Sequence, residues 1–556
     1  MTSLTGEKFL KTIEIANKEY GATIVLENNG LNPDLPKLMQ PSEGRPVSRF
    51  AESVGTFFAE KELLFYRQSD DAIVRIENGD SIGFKEMKPA EFTTFIEKYW
   101  NVGKNKIIIQ KIKNEDGLEE DKRKIRFVLD TLSRSNADLC LSSSQFREKL
   151  PKIKYLFPVP FPIIKNGELT FPKVGYDPEF QSWLSPDAPR IRTDMTLDDA
   201  KKIINEVYKE FCFGYKQDHD NAIAGLITPL CRKLYSRETC RTPIFFFEAN
   251  RERCGKDYCA NIRIIVYDGV AMEEPPIAYK DGSDDEVRKK ITSKFKAGKM
   301  FFHSSNNKGF IDSAIIESVS TNEIWTDRSL GKNENVAFPN VLEFSLSANT
   351  GIGYTPDFAR RSIFSNLFLS MEDPNQRKFE NPDLHLWVQN NRGEILSAIF
   401  TLIRNWYEKG MPSGSVPFAS FSEWSRVVGG IMECAGYLNP CNPNVNPSEV
   451  GGDLETQDMK KMFSMAINRW EDQWITKREI VKEITNEDSE FGDLFSFLDW
   501  KNPKSGVSSF GKLVEKFVNR ELSGITLQSD GNAVSSRRKY RFIKKDELKE
   551  KNWGGF

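Results

Sequence analysis

The stretch that most constrains this chain is EANRERCGKDYC, Glu248 to Cys259, set directly behind the apolar run PIFFF, Pro243 to Phe247. A buried strand, a loop ending in Gly-Lys and then a helix is the layout of a P-loop. Such a loop points backbone N–H groups at phosphate, and its lysine reaches the outer phosphates. Gly255 and Lys256 hold the Gly-Lys positions, and Asn250, Arg251, Cys254, Asp257 and Tyr258 complete the expected nucleotide-binding loop. Two features depart from G-x-x-x-x-G-K-[ST]. The first glycine is missing, and Asp257 stands where a hydroxyl normally touches Mg²⁺.

Composition narrows the setting. A chain of 556 residues predicts roughly three or four domains. Its net charge of −2 means that any nucleic-acid binding comes from local patches and not from a global basic field. No apolar run approaches the ~20 residues of a membrane helix, and the polar, amphipathic N-terminus does not read as a signal peptide. The 8 cysteines form no C-x-x-C pair and there are only 3 histidines, which argues against structural zinc. Scattered thiols point to a reducing, cytoplasmic setting.

The pattern along the chain is multidomain α/β. Residues 1–150 read as an α+β module for DNA or partner docking, with a helix and short strand before 26, strands at ELLFYRQ, AIVRIENG and KNKIIIQKI, and a helix over 89–100. Residues 151–195, rich in Pro and aromatics, read as a packed connector. The central unit, 196–440, opens with a helix over 196–211 capped by Thr196. A second helix follows over 218–235, capped by Asp218 or Asp220. Behind the P-loop come a basic helix over 286–299, the strand KMFFHSS, the helix SAIIESVS and the strand VLEFSLSANTG. A helix over 384–410 is bent near Asn390–Gly393. Residues 441–473 read as a linker and helix, 474–546 as a winged helix, and 547–556 as a tail.

The strings WLSPDAP, DHDNAIAGLITPL, NRERCGKDYCANI, TDRSLGKNENVAFPN, SLSANTGIGYTPDFARRS and SFSEWSRVVGGIMECAG are spread over residues 180 to 440, roughly half the chain. Together they resemble the AAA+ helicase-type ATPases of phages, plasmids and integrative elements, relatives of superfamily 3 and MCM helicases. That resemblance implies an AAA+ (P-loop) core with a helical lid, with ATP and Mg²⁺ as cofactors. It implies ATP-driven DNA unwinding or translocation by a ring, hexameric in type, alongside other replication proteins of a mobile element. It also implies a sensor at Asn349 and an arginine at Arg360 or Arg361 completing a neighbour's site; the bland reading of the two arginines is a solvated helix end paired with Asp357. The second core strand of such a site ends in an acid. Here it ends in Ser304, Ser305 and Asn306, and a serine cannot supply the missing charge. Asp257 is the expected metal contact, with Glu248, Asp312 and Glu317 as alternatives. Lys332, at a glycine turn, is either a pore-hairpin DNA contact or part of a surface turn. Cys254 and Cys259 read as packing residues.

The C-terminal stretch reads as helix, helix, helix, hairpin. ITKREIVKEI is capped by Thr476, EFGDLFSFLD follows, and SSFGKLVEKFVNREL is capped near Ser508. Lys512, Lys516 and Arg520 recur at four-residue spacing, and Arg537, Arg538 and Lys539 lie on the wing. A recognition helix and wing that touch DNA are one expectation; a solvated face on a protein-binding winged helix is the other. Three functions remain open on these residues: a helicase or translocase, a degenerate AAA+ scaffold or initiation factor that does not hydrolyse ATP, and an initiator with primase chemistry. The last lacks an obvious paired-carboxylate strand.

Overall fold

The computed structural model describes residues 22–24, 30–42, 44–113, 119–236, 241–277, 283–328, 335–349, 352–369, 379–442, 454–486, 488–492, 494–495, 498, 500, 503–519, 521–522, 524–532 and 538–544. The N-terminal helix expected before residue 22 and the tail lie outside them.

The N-terminal module packs α1 (Val47–Glu60), α2 (Pro89–Ile96) and α3 (Arg134–Ser142) around Phe50, Phe58, Phe92 and Trp100. A meander of β1 (Phe65–Arg67), β2 (Ala72–Glu77) and β3 (Gly83–Glu86) lies beside them. Next to these, β4 (Asn101–Lys113) and β5 (Glu119–Leu129) form one long antiparallel hairpin. The connector joins two cores. Ile153 and Leu156 pack with Phe65 and Phe84, while Tyr155, Phe157 and Phe161 join the central core.

The central unit begins with α4 (Leu197–Tyr208), whose Thr196 side chain accepts from the Asp199 N–H at 3.2 Å. The next helix, α5 (Lys216–Ile227), starts two residues before the expected caps. Asp218 acts from its third position, accepting from the Tyr215 N–H at 2.9 Å. Then follow β6 (Ile244–Ala249), α6 (Lys256–Asp268), α7 (Ser283–Lys296), β7 (Phe301–Asn307) and α8 (Ala314–Thr321). The hairpin β8 (Ile324–Arg328) and β9 (Asn335–Pro339) precedes β10 (Glu343–Asn349) and β11 (Ser362–Leu367). The four strands β7-β10-β6-β11 form a parallel sheet in that order. The strand ahead of the Gly-Lys loop, β6, is therefore central, flanked by two strands that come later in the chain. Alternation along β6 sends Phe245 and Phe247 into one core and Ile244 and Phe246 into the other. With both faces covered, the strand reads as a continuous apolar run.

Helices α9 (Leu384–Asn390) and α10 (Arg392–Glu408) follow, separated at Asn391 within the expected bend. In α11 (Ser422–Cys434) the paired glycines admit a close crossing: a Cβ on Gly430 would lie 2.1 Å from the Pro412 carbonyl oxygen.

At the C-terminus, the helix expected within 441–473 is α12 (Leu454–Trp470), and it packs into the unit that follows. Met459, Met462, Phe463 and Ala466 pack into one core with Ile480, Phe510, Leu513, Phe517, Leu527 and Phe542. That unit therefore starts near 454 and not at 474. It contains α13 (Lys477–Ile484), with Thr476 and Glu479 as a capping box, and α14 (Pro503–Phe517). The antiparallel pair β12 (Ile525–Ser529) and β13 (Lys539–Lys544) completes it. The described residues of EFGDLFSFLD make turns and not the expected helix. The following helix starts at Pro503, five residues before the expected cap at Ser508, because Pro suits a first helical turn.

Candidate nucleotide site

Chain order brings three strand ends together at the carboxyl edge of the sheet, where ligands of α/β folds collect. After β6, Arg253 (φ 64°) and Gly255 (φ 87°) take left-handed conformations, and α6 starts at Lys256. At Gly255 this backbone conformation favours a residue without Cβ. Asn250 fixes the loop to the next strand's exit: its Oδ1 accepts from the Leu369 N–H at 2.9 Å, and its Nδ2 donates to the Leu369 carbonyl at 3.2 Å.

Lys256 is only 8% exposed. Its Nζ donates to Asn306 Oδ1 at 2.9 Å and to Asp257 Oδ2 at 3.1 Å. The register of β7 against β10 slips between Ser304 and Asn307, and Asn306 sits there at φ 53°. That irregularity presents Asn306 to the lysine. Asn307 closes the bend by donating to the carbonyls of Ser304 at 2.9 Å and Ser347 at 3.1 Å. Ser305 is buried. The Ser347 hydroxyl donates to Asp257 Oδ1, and the Asn306 N–H donates to Ser347 Oγ at 3.2 Å. Asn349 ends β10, and its buried Oδ1 has no hydrogen-bond partner among the described residues. Lys256, Asn306, Lys308 and Asn349 line one concavity; Arg251, Gly255, Asp257, Tyr258, Glu273 and His385 line another, with Lys256 shared.

Ser347, Glu273, His385, Asn307 and Lys308 escaped the sequence reading. His385 stacks on Tyr258 with ring centroids 3.4 Å apart and planes 5° from parallel, and its Nε2 lies 2.9 Å from the Tyr258 carbonyl. Burial holds its pKa below the usual imidazole value. The contact ties α9 to the first turn of α6, a pairing across more than a hundred residues that no local pattern announces.

The alternative acids do not face this site. Glu248 lies on the sheet side of Phe246, opposite α6, and burial pushes its carboxyl up to about 7. Glu317 accepts from the Thr355 hydroxyl, and neither it nor Asp312 lines the two concavities. Cys254 and Cys259 are buried, and burial raises the Cys259 thiol well above its ordinary value, as expected for packing groups.

The arginine pair divides. Arg361 is held inside its own chain: it pairs with Asp357 at 2.6 Å, donates to the Glu317 carbonyl and reaches Thr321 Oγ1 at 3.3 Å. A reach into a neighbouring subunit would break all three contacts, so this side chain is an internal brace. Arg360 is 74% exposed and pairs with Asp357 at 3.1 Å. The hairpin β8–β9 is present, but its tip with Lys332 lies outside the described residues.

In the C-terminal unit Lys512 and Lys539 are exposed. Arg538 instead pairs with Glu515 at 2.7 Å, so it braces the wing against α14. Lys516 lies on α14 with its side chain outside the described residues, as are Arg520 and Arg537. Among the described residues no helix is long and apolar enough to cross a membrane, and no three His, Cys, Asp or Glu side chains gather as a metal cluster.

No family model matches the chain, and no curated protein matches it. Among solved structures, it is similar to the apo A form of the NrS-1 C-terminal region, with a TM-score of 0.36 and 9% identity over 86% of this chain and 95% of that one. A second apo structure of that region, labelled 305–718, gives a TM-score of 0.35 and 8% identity over 84% and 90%. Likeness at that level decides neither fold nor function.

Proposed function

We propose that the central unit is an AAA+-type core that binds ATP through the Gly255–Lys256 loop, in a DNA helicase or translocase of a mobile genetic element that works as a ring. The observation that carries this reading is the convergence on Lys256. A nearly buried ammonium at a helix N-terminus meets Asn306 from one strand, and the unpartnered Asn349 oxygen from the next lines the same concavity. A buried cation at a helix N-terminus runs against the helix dipole, and a bound anion offsets that cost. In this reading Lys256 holds the outer phosphates and Asn349 senses the last of them. Arg360 completes the neighbour's site, and Lys512 and Lys539 engage DNA phosphates.

Magnesium in such a site supplies charge neutralisation between phosphates. Asp257 is the carboxylate beside Lys256, and a hard cation bound mainly by phosphate oxygens and water needs one or two such groups.

ATP binding and hydrolysis measured with and without Lys256→Ala test the reading. Loss of both is expected; hydrolysis unaffected by the substitution would sink the assigned site. The absence of an acid at Ser305 and Asn306 favours a second reading, a DNA-binding initiation or scaffold factor that binds ATP without hydrolysing it. Tight ATP binding without turnover or strand displacement selects it.

A further inference from the structure

On the phosphate-site reading above, Lys308 stands unassigned in the same concavity as Lys256. Asn306 and Asn349 share that lining, and no acid lies among the described residues that form it. Two left-handed residues, Asn306 at φ 53° and Gly309 at φ 80°, bracket the turn that carries Lys308. The turn is pinned on both sides. Asn307 Oδ1 accepts from the Ile277 N–H at 2.8 Å, and the Gly309 carbonyl accepts from the Gly353 N–H at 2.8 Å. Because Asn307 stands opposite Ala348 in the register of β7 and β10, Lys308 leaves the sheet beside Asn349.

We propose that Lys308 is a second phosphate-binding cation, closing with Lys256 on the terminal phosphate of a nucleoside triphosphate. In a P-loop site the corresponding strand ordinarily ends in an acid; the acid holds Mg²⁺, and the metal neutralises the phosphates. Here the strand ends in Ser305, Asn306 and Asn307, and the next side chain is itself a cation. Charge that a metal brings through an acid is supplied directly by the chain. A lysine ammonium is a compact charge with three donors on a flexible stem, which suits a phosphate group. Lys308 is exposed and pairs with no acid among the described residues, so its ammonium is available to a ligand. Lys256, by contrast, is already engaged with Asn306 and Asp257.

A separate observation points to where the lysine goes. Asn349 Oδ1, in the same lining, is buried and has no partner among the described residues. An acceptor left bare in a buried place costs free energy until a donor reaches it. A phosphate oxygen is an acceptor too and cannot meet that need, whereas an ammonium can. One of the three Lys308 N–H groups given to Asn349 leaves two for phosphate. The side chain therefore moves from solvent into the concavity as the terminal phosphate enters. A nucleoside diphosphate, one phosphate shorter, gives it no anion to close on. Two lysines with no acid in the lining also repel each other, so the concavity favours the more negative ligand.

The test uses the full-length protein with methylanthraniloyl-labelled ATP and ADP, each titrated in Mg²⁺ and in EDTA, and thermal melting to check folding. Wild type should still bind the triphosphate in EDTA. Lys308→Ala should weaken the triphosphate about tenfold, as loss of a hydrogen bond to a charged group does, and leave the diphosphate nearly unchanged. Lys308→Arg should keep the preference for triphosphate. Lys308→Asp puts an acid back at the end of β7, and its triphosphate binding should come to depend on Mg²⁺. If Lys308→Ala binds both nucleotides as wild type does, or loses both equally, the second cation is overturned and the Lys256 site stands. Wild-type triphosphate binding abolished by EDTA overturns it as well. No binding of either analogue by wild type in either buffer overturns the phosphate site itself.

Discussion

Glu343 is fully buried between two arginines. Arg232 meets its Oε1 at 2.8 Å, and Arg263 approaches its Oε2 at 3.8 Å with a side chain only 1% exposed. The Arg263 guanidinium also lies 4.9 Å from the Phe245 ring centroid, and burial lowers its pKa. Because Arg263 stands on α6 two turns after Lys256, this charge pair anchors the helix that presents the lysine. Glu343→Ala strands two buried cations and should cost about 3–5 kcal/mol, read as a lower unfolding midpoint in urea; an unshifted midpoint would show that the arginines find other partners. Nothing local in LEFSLSAN or NIRIIVYD announces this pairing, since its partners lie eighty residues apart and only the sheet order brings them together. Glu248 makes a prediction in pH. Its carboxyl titrates near 4.5 when unfolded and at about 7 when folded, so the folded state binds more protons across that window. Stability from this group is therefore present at low pH and lost as pH rises through the window. Glu248→Gln, neutral throughout, should gain stability over wild type on going from pH 5 to pH 8, by up to about 3 kcal/mol. An equal difference at both pH values contradicts the burial of this group.

Among the elements, α14 and the wing separate what spacing reveals from what it conceals. Phe510, Leu513 and Phe517 recur at helical intervals, so the apolar face was legible, and all three enter the core. The role of the basic residues was not legible, because spacing says which residues share a face and not which acid lies across from it. Glu515 takes Arg538 at 2.7 Å and the Tyr540 hydroxyl at 2.6 Å, binding the wing to the helix, whereas Lys512 and Lys539 stay exposed. Two classes of variant follow. Lys512→Ala and Lys539→Ala should each weaken DNA binding and reduce the slope of log affinity against log salt by about 0.9. Arg538→Ala should lower the melting temperature of the unit and leave the slope nearly unchanged. Fluorescence anisotropy across a salt series separates them, and a slope loss for Arg538→Ala equal to that of the lysines would return it to the DNA interface. The packing of α12 was illegible for a related reason. Its apolar side is readable in Met459, Met462, Phe463 and Ala466, but the strands it packs on lie far downstream.

Across the whole molecule, the N-terminal module is clasped onto the turn that leads into β7 and so toward Lys256. The Phe84 N–H donates to the Ala297 carbonyl at 2.9 Å, Lys299 Nζ donates to the Ile82 carbonyl at 2.8 Å, and the Ala337 N–H donates to the Ser69 carbonyl at 2.9 Å. Between them Gly298 holds φ at 66°, and a Cβ there would lie 2.6 Å from the Phe84 ring. Residues 297–299 lead directly into β7, which ends at Asn306 beside Lys256. A boundary drawn from composition marks where modules begin and end but carries no information about which turn of one seats on the other. That contact depends on a left-handed glycine and on backbone carbonyls, neither of which leaves a side-chain pattern. Gly298→Ala meets both obstacles at once, the strained backbone and the Phe84 ring. Lys299→Ala meets neither, and leaves the Ile82 carbonyl without its donor, at about 1–3 kcal/mol. Both variants should loosen the clasp, and in calorimetry the N-terminal module should then melt ahead of the central unit. Because Asn306 is fixed through β7, the same variants should weaken nucleotide binding although they touch no ligand. A single melting transition together with unchanged nucleotide affinity in Gly298→Ala would mean that the two modules are neighbours without mechanical connection.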